Sequence, residues 1–113
     1  MDLNTTYEAI RISSGNSFVH ETESQVILNG SRDINFTMDL VIKDVSLFQV
    51  IAEREGVPLE VSPLLIDIFK DGEKRYGSRE RSPNIVQRLE EACETTVLAV
   101  SYTHLTLPTN REV

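Results

Sequence analysis

Apolar side chains recur with a helical period along residues 35–58, NFTMDLVIKDVSLFQVIAEREGVP. At about 100° per residue, five positions of this segment project from nearly the same side of a helix, and a carboxylate flanks them. These positions are Phe36, Leu40, Lys43, Leu47 and Ile51, with Asp44 beside them. The pattern predicts an amphipathic helix from about Thr37 to Glu55 that ends at Gly56, with Pro58 just beyond.

A lysine lies inside the apolar stripe of this predicted helix, and two interpretations are open. In the first, Lys43 lies at the edge of the stripe and extends its ammonium group into water, while Asp44 is simply solvated. In the second, the pair faces a cleft that holds an anionic or polar ligand. The difference matters because burying an ammonium group without a partner is costly or shifts its pKa.

Helix-start and helix-stop residues predict four more helices and no alternating strand. The predicted ranges are about Thr5–Ser13, Ser17–Leu28, Ser62–Tyr76 and Ser82 to Cys93 or Glu94. Thr5 and Glu8 have the spacing of a capping box. Ser62 and Ser82 each resemble a cap because a proline follows in the first turn. Short loops between the helices are typical of a compact all-α bundle of about five helices.

The 113-residue chain carries a formal net charge of −7 at pH 7. An acidic surface argues against nucleic acid or an anionic membrane as the main partner. No apolar run is long enough to span a membrane and no signal-peptide pattern stands at the N-terminus, so we expect a cytoplasmic protein. The one cysteine, Cys93, excludes an internal disulfide and fits a reducing compartment.

Few residues of the chain offer catalytic chemistry. No Gly-rich phosphate-binding turn follows a strand, and no cluster of His, Cys, Asp and Glu has metal-ligand spacing, so we expect no metal site. His20 is expected on the surface of the second helix. The turn at residues 13–17 has two interpretations. It is either an ordinary helix stop and N-cap, or a set of backbone N–H groups that binds an anion beside Ser14 and Ser17.

The order of these motifs resembles the C-terminal helical domain of the β-hydroxyacid dehydrogenases, the family of 3-hydroxyisobutyrate dehydrogenase and 2-hydroxy-3-oxopropionate (tartronate semialdehyde) reductase. In that family a Ser-Gly-x-Ser-like turn is followed by a Phe, a Lys-Asp-Leu-like step and a Gly-Val-Pro helix stop. This chain has, in the same order, Ser14-Gly15-Asn16-Ser17, Phe36, Lys43-Asp44 and Gly56-Val57-Pro58, with Val45 in place of the leucine. The resemblance covers residue 1 to about residue 98.

The resemblance implies a second domain that follows a Rossmann-type domain binding NAD or NADP. It implies that Phe36 and Lys43 lie beside the nicotinamide end of the cofactor, and that Asp44 borders a small hydroxy-acid substrate. The family's acid/base lysine belongs to a Gly-rich motif ending in Lys and Asn, which this chain does not contain. We therefore expect no catalytic residue within these 113 positions, and a homo-oligomeric parent enzyme.

Separate expectations concern the two ends of the chain. Residues 100–109, VSYTHLTLPT, fit one reading frame of a transposase adapter used in sequencing libraries. We therefore expect residues 1–99 to form a helical domain like the C-terminal domain of 6-phosphogluconate dehydrogenase, and residues 100–113 to be an artefactual tail. Met1-Asp2-Leu3 matches a position inside family members, so the chain is expected to be a fragment truncated at both ends.

Together these features predict a fragment of an NAD(P)-dependent oxidoreductase that acts on a small 3-hydroxy acid. The acid is of the 3-hydroxyisobutyrate or tartronate semialdehyde type, and the fragment itself is expected to be inactive. One alternative is a stand-alone helical protein-interaction module in which Lys43 and Asp44 are surface charges. Another is a different dehydrogenase with a similar all-helical second domain.

Overall fold

The computed structural model describes residues 2–99, which are divided between two compact units. Among the described residues, unit 1 comprises 2–34 and 86–99, and unit 2 is Asn35–Ile85. The helices are α1 (Leu3–Arg11), α2 (Phe18–Leu28), α3 (Met38–Glu55), α4 (Ser62–Tyr76), a 3-10 helix (Ser82–Val86) and α5 (Gln87–Cys93). Residues 2–99 contain no strand, only an isolated antiparallel bridge between Thr37 and Arg81. The predicted all-α class with five helices is confirmed.

The first two helices begin at side chains that accept backbone hydrogen bonds. Asp2, rather than Thr5, caps α1, because its carboxylate accepts the backbone N–H of Thr5 at 2.8 Å. The predicted capping box is therefore wrong, and Glu8 instead forms an ion pair with Arg11 at 2.7 Å. Ser17 caps α2 as predicted, since its hydroxyl accepts the N–H of His20 at 2.9 Å.

Glycines end the two longest helices. Gly56 has a φ of 72°, the left-handed conformation that terminates α3 with little strain for a residue without a Cβ. Gly77 follows α4 with a φ of 106°. The predicted cap at Ser62 is wrong, because Val61 is the N-cap residue and the Ser62 hydroxyl donates to the Gln49 side chain at 2.5 Å.

The last predicted helix consists of two pieces. A 3-10 helix occupies Ser82–Val86, and α5 begins only at Gln87. Ser82 and Pro83 are both buried, so the start of this segment is fixed by packing. The single continuous helix predicted from Ser82 is therefore wrong in its first turn, where the tighter 3-10 geometry replaces α-helix.

Unit 1 packs α1 against α2 around Tyr7, Leu28 and Ala99. Ala99 donates its backbone N–H to the carbonyl of Leu28 at 2.9 Å, which ties the end of the described chain to α2. Glu90 links two further segments of this unit. Its carboxylate forms an ion pair with Arg32 at 2.9 Å and accepts the N–H of Val97 at 2.7 Å. Residues 97–99 are therefore part of this unit's packing.

Unit 2 packs α3 against α4. Met38 and Ala52 are the buried residues of α3, and Gly72 is the buried residue of α4. Gly72 allows a close approach, because a Cβ at this position would overlap Cδ1 of Ile85 and lie 3.4 Å from the sulfur of Met38. Because Gly72 has no Cβ, the 3-10 segment and the start of α3 can lie close to α4.

Two expectations from the sequence concern membranes and the C-terminal tail. Within residues 2–99, no helix is both long enough and apolar enough to cross a membrane. The predicted artefactual tail, residues 100–113, lies outside the described residues.

The packing of Gly72 generates a stability prediction. Gly72→Ala should lower the free energy of unfolding by about 1–2 kcal/mol, because overpacking outweighs a helix-propensity gain of about 1 kcal/mol. In an Ile85→Val background, which removes the overlapping Cδ1 atom, the same change should be neutral or stabilising. Denaturant unfolding of the four proteins of this double-mutant cycle measures the coupling.

Gly15→Ala is the control for the cycle, since Gly15 is exposed and the nearest atom to an added Cβ is the Ser13 hydroxyl at 3.6 Å. Its stability should change by no more than about 0.5 kcal/mol. An equal loss from Gly72→Ala in both backgrounds would show that the Ile85 contact is not the cause.

Candidate functional site

Helix α3 has an inward and an outward face, and both carry apolar residues. Met38 and Ala52 are buried, with Val41 and Val45 partly buried between them. The stripe that the sequence singles out lies mainly on the other side, where Leu47 is 53% and Ile51 is 50% exposed. A contiguous apolar surface of this kind marks a place where a ligand or another protein surface packs.

Lys43 and Asp44 lie in the middle of this outward face. Both side chains are exposed, so neither pays the desolvation cost that a core position would impose. In the described part of the chain, neither forms a hydrogen bond or an ion pair with another residue. Their charged groups are therefore available to a ligand.

A shallow groove of about 220 Å³ adjoins Asp44. It is lined by Asp44, Leu47, Phe48 and Ile51, so a single carboxylate borders an apolar surface. Such a groove can accept a small molecule or a planar ring on its apolar side while Asp44 accepts a hydrogen bond from a hydroxyl group.

Phe36 lies just before α3 and is half-buried. Three backbone hydrogen bonds fix this part of the chain against residues 78–82. Ser82 donates to the Phe36 carbonyl at 2.7 Å, Met38 donates to the Glu80 carbonyl at 2.9 Å, and Asp39 donates to the Ser78 carbonyl at 3.0 Å. Two of the N–H groups left open at the start of an α-helix are satisfied in this way.

Asp39 and Arg79 are two charged residues near this helix start that the sequence interpretation did not include. The Thr37 hydroxyl donates to the Asp39 carboxylate, and this bond holds the pKa of Asp39 below its ordinary value of 3.8. The Arg79 guanidinium adds a smaller effect, with Nε 4.0 Å from Asp39 Oδ2. The signal in the sequence was the pair of arginines at positions 79 and 81, in a chain that is otherwise acidic.

Ser14 and Ser17 belong to unit 1, whereas Phe36, Lys43 and Asp44 belong to unit 2. The Ser17 hydroxyl is engaged as the N-cap of α2, which is the ordinary interpretation of this turn. Ser14 is exposed. The structure therefore brings three of the five predicted residues into one unit, and it gives Ser17 a local structural role.

His20 is half-buried rather than on the surface, so that expectation is wrong. Its Nε2 lies 3.0 Å from the Tyr7 carbonyl, which can only accept, so this nitrogen carries the proton. Its Nδ1 lies 3.1 Å from the Ser24 hydroxyl, and its ring stacks on Tyr7 at 4.7 Å. Both ring nitrogens are satisfied, which is typical of a structural histidine beside an apolar cavity of about 230 Å³.

No group of three or more His, Cys, Asp and Glu residues in positions 2–99 is arranged to hold a metal ion. A nicotinamide dinucleotide fits the outward face of α3 in part. The exposed cation and the apolar groove suit its ring and polar groups, but the chain has no Gly-rich strand–helix turn for its phosphates. The residues present therefore fit one side of such a cofactor.

The Thr37–Asp39 contact generates a pH prediction. Because the folded-state pKa of Asp39 is lowered, the contact stabilises the fold above the unfolded-state pKa and is lost as the pH falls through the folded-state value. Thr37→Val should raise the pKa of Asp39 toward 3.8 and make unfolding less dependent on pH below about pH 4. An NMR titration of the Asp39 carboxyl carbon measures the shift.

Asp2 supplies the internal control, because its pKa is lowered by the hydrogen bonds from Thr5 and not by Thr37. The midpoint of Asp2 should be the same in both proteins. An Asp39 midpoint that does not move in Thr37→Val would contradict the assignment of the cause.

Comparison with known proteins identifies the protein family. The family described as NAD-binding of NADP-dependent 3-hydroxyisobutyrate dehydrogenase matches residues 1–89, a range that includes Phe36, Lys43 and Asp44. No curated protein matches the chain. The matched range covers most of the 113 residues and all of unit 2. The chain therefore belongs to the NAD-binding family of NADP-dependent 3-hydroxyisobutyrate dehydrogenase.

Proposed function

We propose that this chain supplies the helical side of an active-site cleft in an NAD(P)-dependent dehydrogenase. The reaction is hydride transfer between nicotinamide and the carbinol carbon of a small 3-hydroxy acid of the 3-hydroxyisobutyrate or tartronate semialdehyde type. The observation that carries the proposal is the exposed Lys43–Asp44 pair on the outward face of α3, inside the range that matches the family.

The three predicted residues of unit 2 have roles that their surroundings support. Lys43 is a cation on a regular helix with no partner among residues 2–99, so its ammonium group can donate to oxygens of the cofactor. Phe36 is fixed at the start of the same helix and contributes an apolar ring beside the nicotinamide end. Asp44 borders the groove and accepts a hydrogen bond from the substrate hydroxyl. When bound, the nicotinamide ring supplies the redox chemistry by accepting or donating hydride.

In the parent enzyme, we propose, residues 1–99 act together with a Rossmann-type domain that binds the phosphates of the cofactor. That domain and its connecting helix supply the acid/base lysine, for which this chain has no matching motif. The exposed apolar residues of units 1 and 2 then contact that domain or a second subunit in a homo-oligomer.

A stand-alone interaction module is the second candidate function. The observation in its favour is the extent of exposed apolar surface in unit 2, where Phe48 is 67%, Val61 is 62% and Leu64 is 59% exposed. In that case α3 binds a protein partner through its apolar residues, and Lys43 contributes only a surface charge.

A chimera provides the test of the dehydrogenase proposal. It joins residues 1–99 to the Rossmann domain and connecting helix of an NADP-dependent 3-hydroxyisobutyrate dehydrogenase, and reduced nicotinamide is followed by absorbance. Lys43→Met should lower kcat/KM about 10- to 100-fold, as expected for losing a charge-assisted contact of ~1.5–3 kcal/mol. Stability should change by less than about 1 kcal/mol, because the side chain is exposed and methionine preserves its apolar stem.

Lys70→Met is the matched control, since Lys70 is an exposed lysine on α4. It should leave both kcat/KM and the melting temperature unchanged. A Lys43→Met chimera that keeps full activity would contradict the proposed role and show that Lys43 is only a surface charge.

A further inference from the structure

We infer that Arg79 is a second cationic ligand-binding residue beside Lys43, and that it binds the oxygens of a phosphate or carboxylate group of the ligand on α3. This inference rests on the proposed function, because it assigns a further residue to the same face. Arg79 follows α4 in the sequence, and it is the fold of unit 2 that brings it next to the start of α3.

The backbone at Arg79 is held firmly against the start of α3. Its two neighbours, Ser78 and Glu80, each accept a backbone hydrogen bond from the first turn of the helix, at 3.0 and 2.9 Å. Ser82 continues the contact through its own donation to the Phe36 carbonyl. Arg79 therefore projects from a fixed position, which lowers the entropy cost of using it in binding.

The guanidinium group of Arg79 has N–H donors that no described residue occupies. The side chain is 83% exposed, and its ion pair with Asp39 is long, with Nε 4.0 Å from Oδ2. No other hydrogen bond or ion pair involves Arg79 within residues 2–99. Because a guanidinium carries five N–H donors in a planar fork, it can still bind a carboxylate or phosphate through two of them.

Asp39 connects Arg79 to the face that carries Lys43. Asp39 and Lys43 are four positions apart on α3, so they lie on the same side of the helix one turn apart. Arg79 Nε lies 4.0 Å from Asp39 Oδ2, so Arg79 lies near the N-terminal end of the helix face that carries Lys43. The Asp39 carboxylate already accepts a hydrogen bond from the Thr37 hydroxyl, and its contact with Arg79 leaves most of the guanidinium N–H groups open.

A role in folding does not account for Arg79. An exposed ion pair at the limit of contact distance contributes little to stability. The side chain adds positive charge beside the helix that carries the candidate cofactor residues, in a chain whose net charge is −7. Anion binding is the chemistry that this placement favours.

NMR on the isotope-labelled 113-residue chain tests the inference without any need for catalysis. Three probes are titrated separately: NADP⁺, inorganic pyrophosphate and 3-hydroxyisobutyrate. The Nε–Hε signal of Arg79 should shift with NADP⁺ and with one of the two smaller probes. Pyrophosphate identifies a phosphate as the bound group, and 3-hydroxyisobutyrate identifies a carboxylate.

Variants assign the shift to the side chain. Arg79→Gln should weaken the apparent affinity for the responding probe about three- to tenfold, and Arg79→Lys should retain part of it, since the charge remains but the fork does not. Arg54→Gln, at the exposed C-terminal turn of the same helix, should have no effect.

Two outcomes overturn the inference, and they differ in what they mean for the proposed function. If Lys43→Met weakens NADP⁺ binding while Arg79→Gln does not, Arg79 is a solvated surface residue and the proposed function stands. If no probe shifts the Arg79 signal, the inference fails, and the proposed function fails as well only if Lys43→Met leaves kcat/KM of the chimera unchanged.

Discussion

Three backbone hydrogen bonds between the start of α3 and residues 78–82 determine the arrangement of unit 2. An α-helix leaves its first N–H groups without intrahelical partners, and those of Met38 and Asp39 would otherwise require water or side chains. Here the carbonyls of Glu80 and Ser78 accept them. The same contact buries Met38 completely and fixes both Phe36 and Arg79 relative to the helix.

The second constraint is that α3 is apolar on two sides. One side packs against α4, and the other remains exposed with Lys43 and Asp44 at its centre. Exposed apolar surface of this kind is typical of a face on which a ligand or another protein surface packs. This exposed face, together with the family match, is the basis of the cleft-forming role that we propose.

Local signals in the sequence predicted the helices well where capping and stop residues act within one turn. Gly56 and Gly77 end their helices as expected, and Ser17 caps α2. The choice of Asp2 over Thr5 was missed because both residues are good caps, and in the structure Thr5 itself donates its N–H and its hydroxyl to the Asp2 carboxylate. Arg79 was missed for a different reason: hydrogen bonds between distant segments bring it to α3, and periodicity along the chain does not report such contacts.

We propose that the outward face of α3 meets the nicotinamide end of the cofactor. Intermolecular nuclear Overhauser effects between the nicotinamide-ring protons of NADP⁺ and the labelled chain test it directly. The account predicts contacts to the Phe36 ring and to the side-chain methylenes of Lys43, in the same unit. Contacts confined to the cavity around Tyr7 and His20 in unit 1, with none to α3, would contradict it.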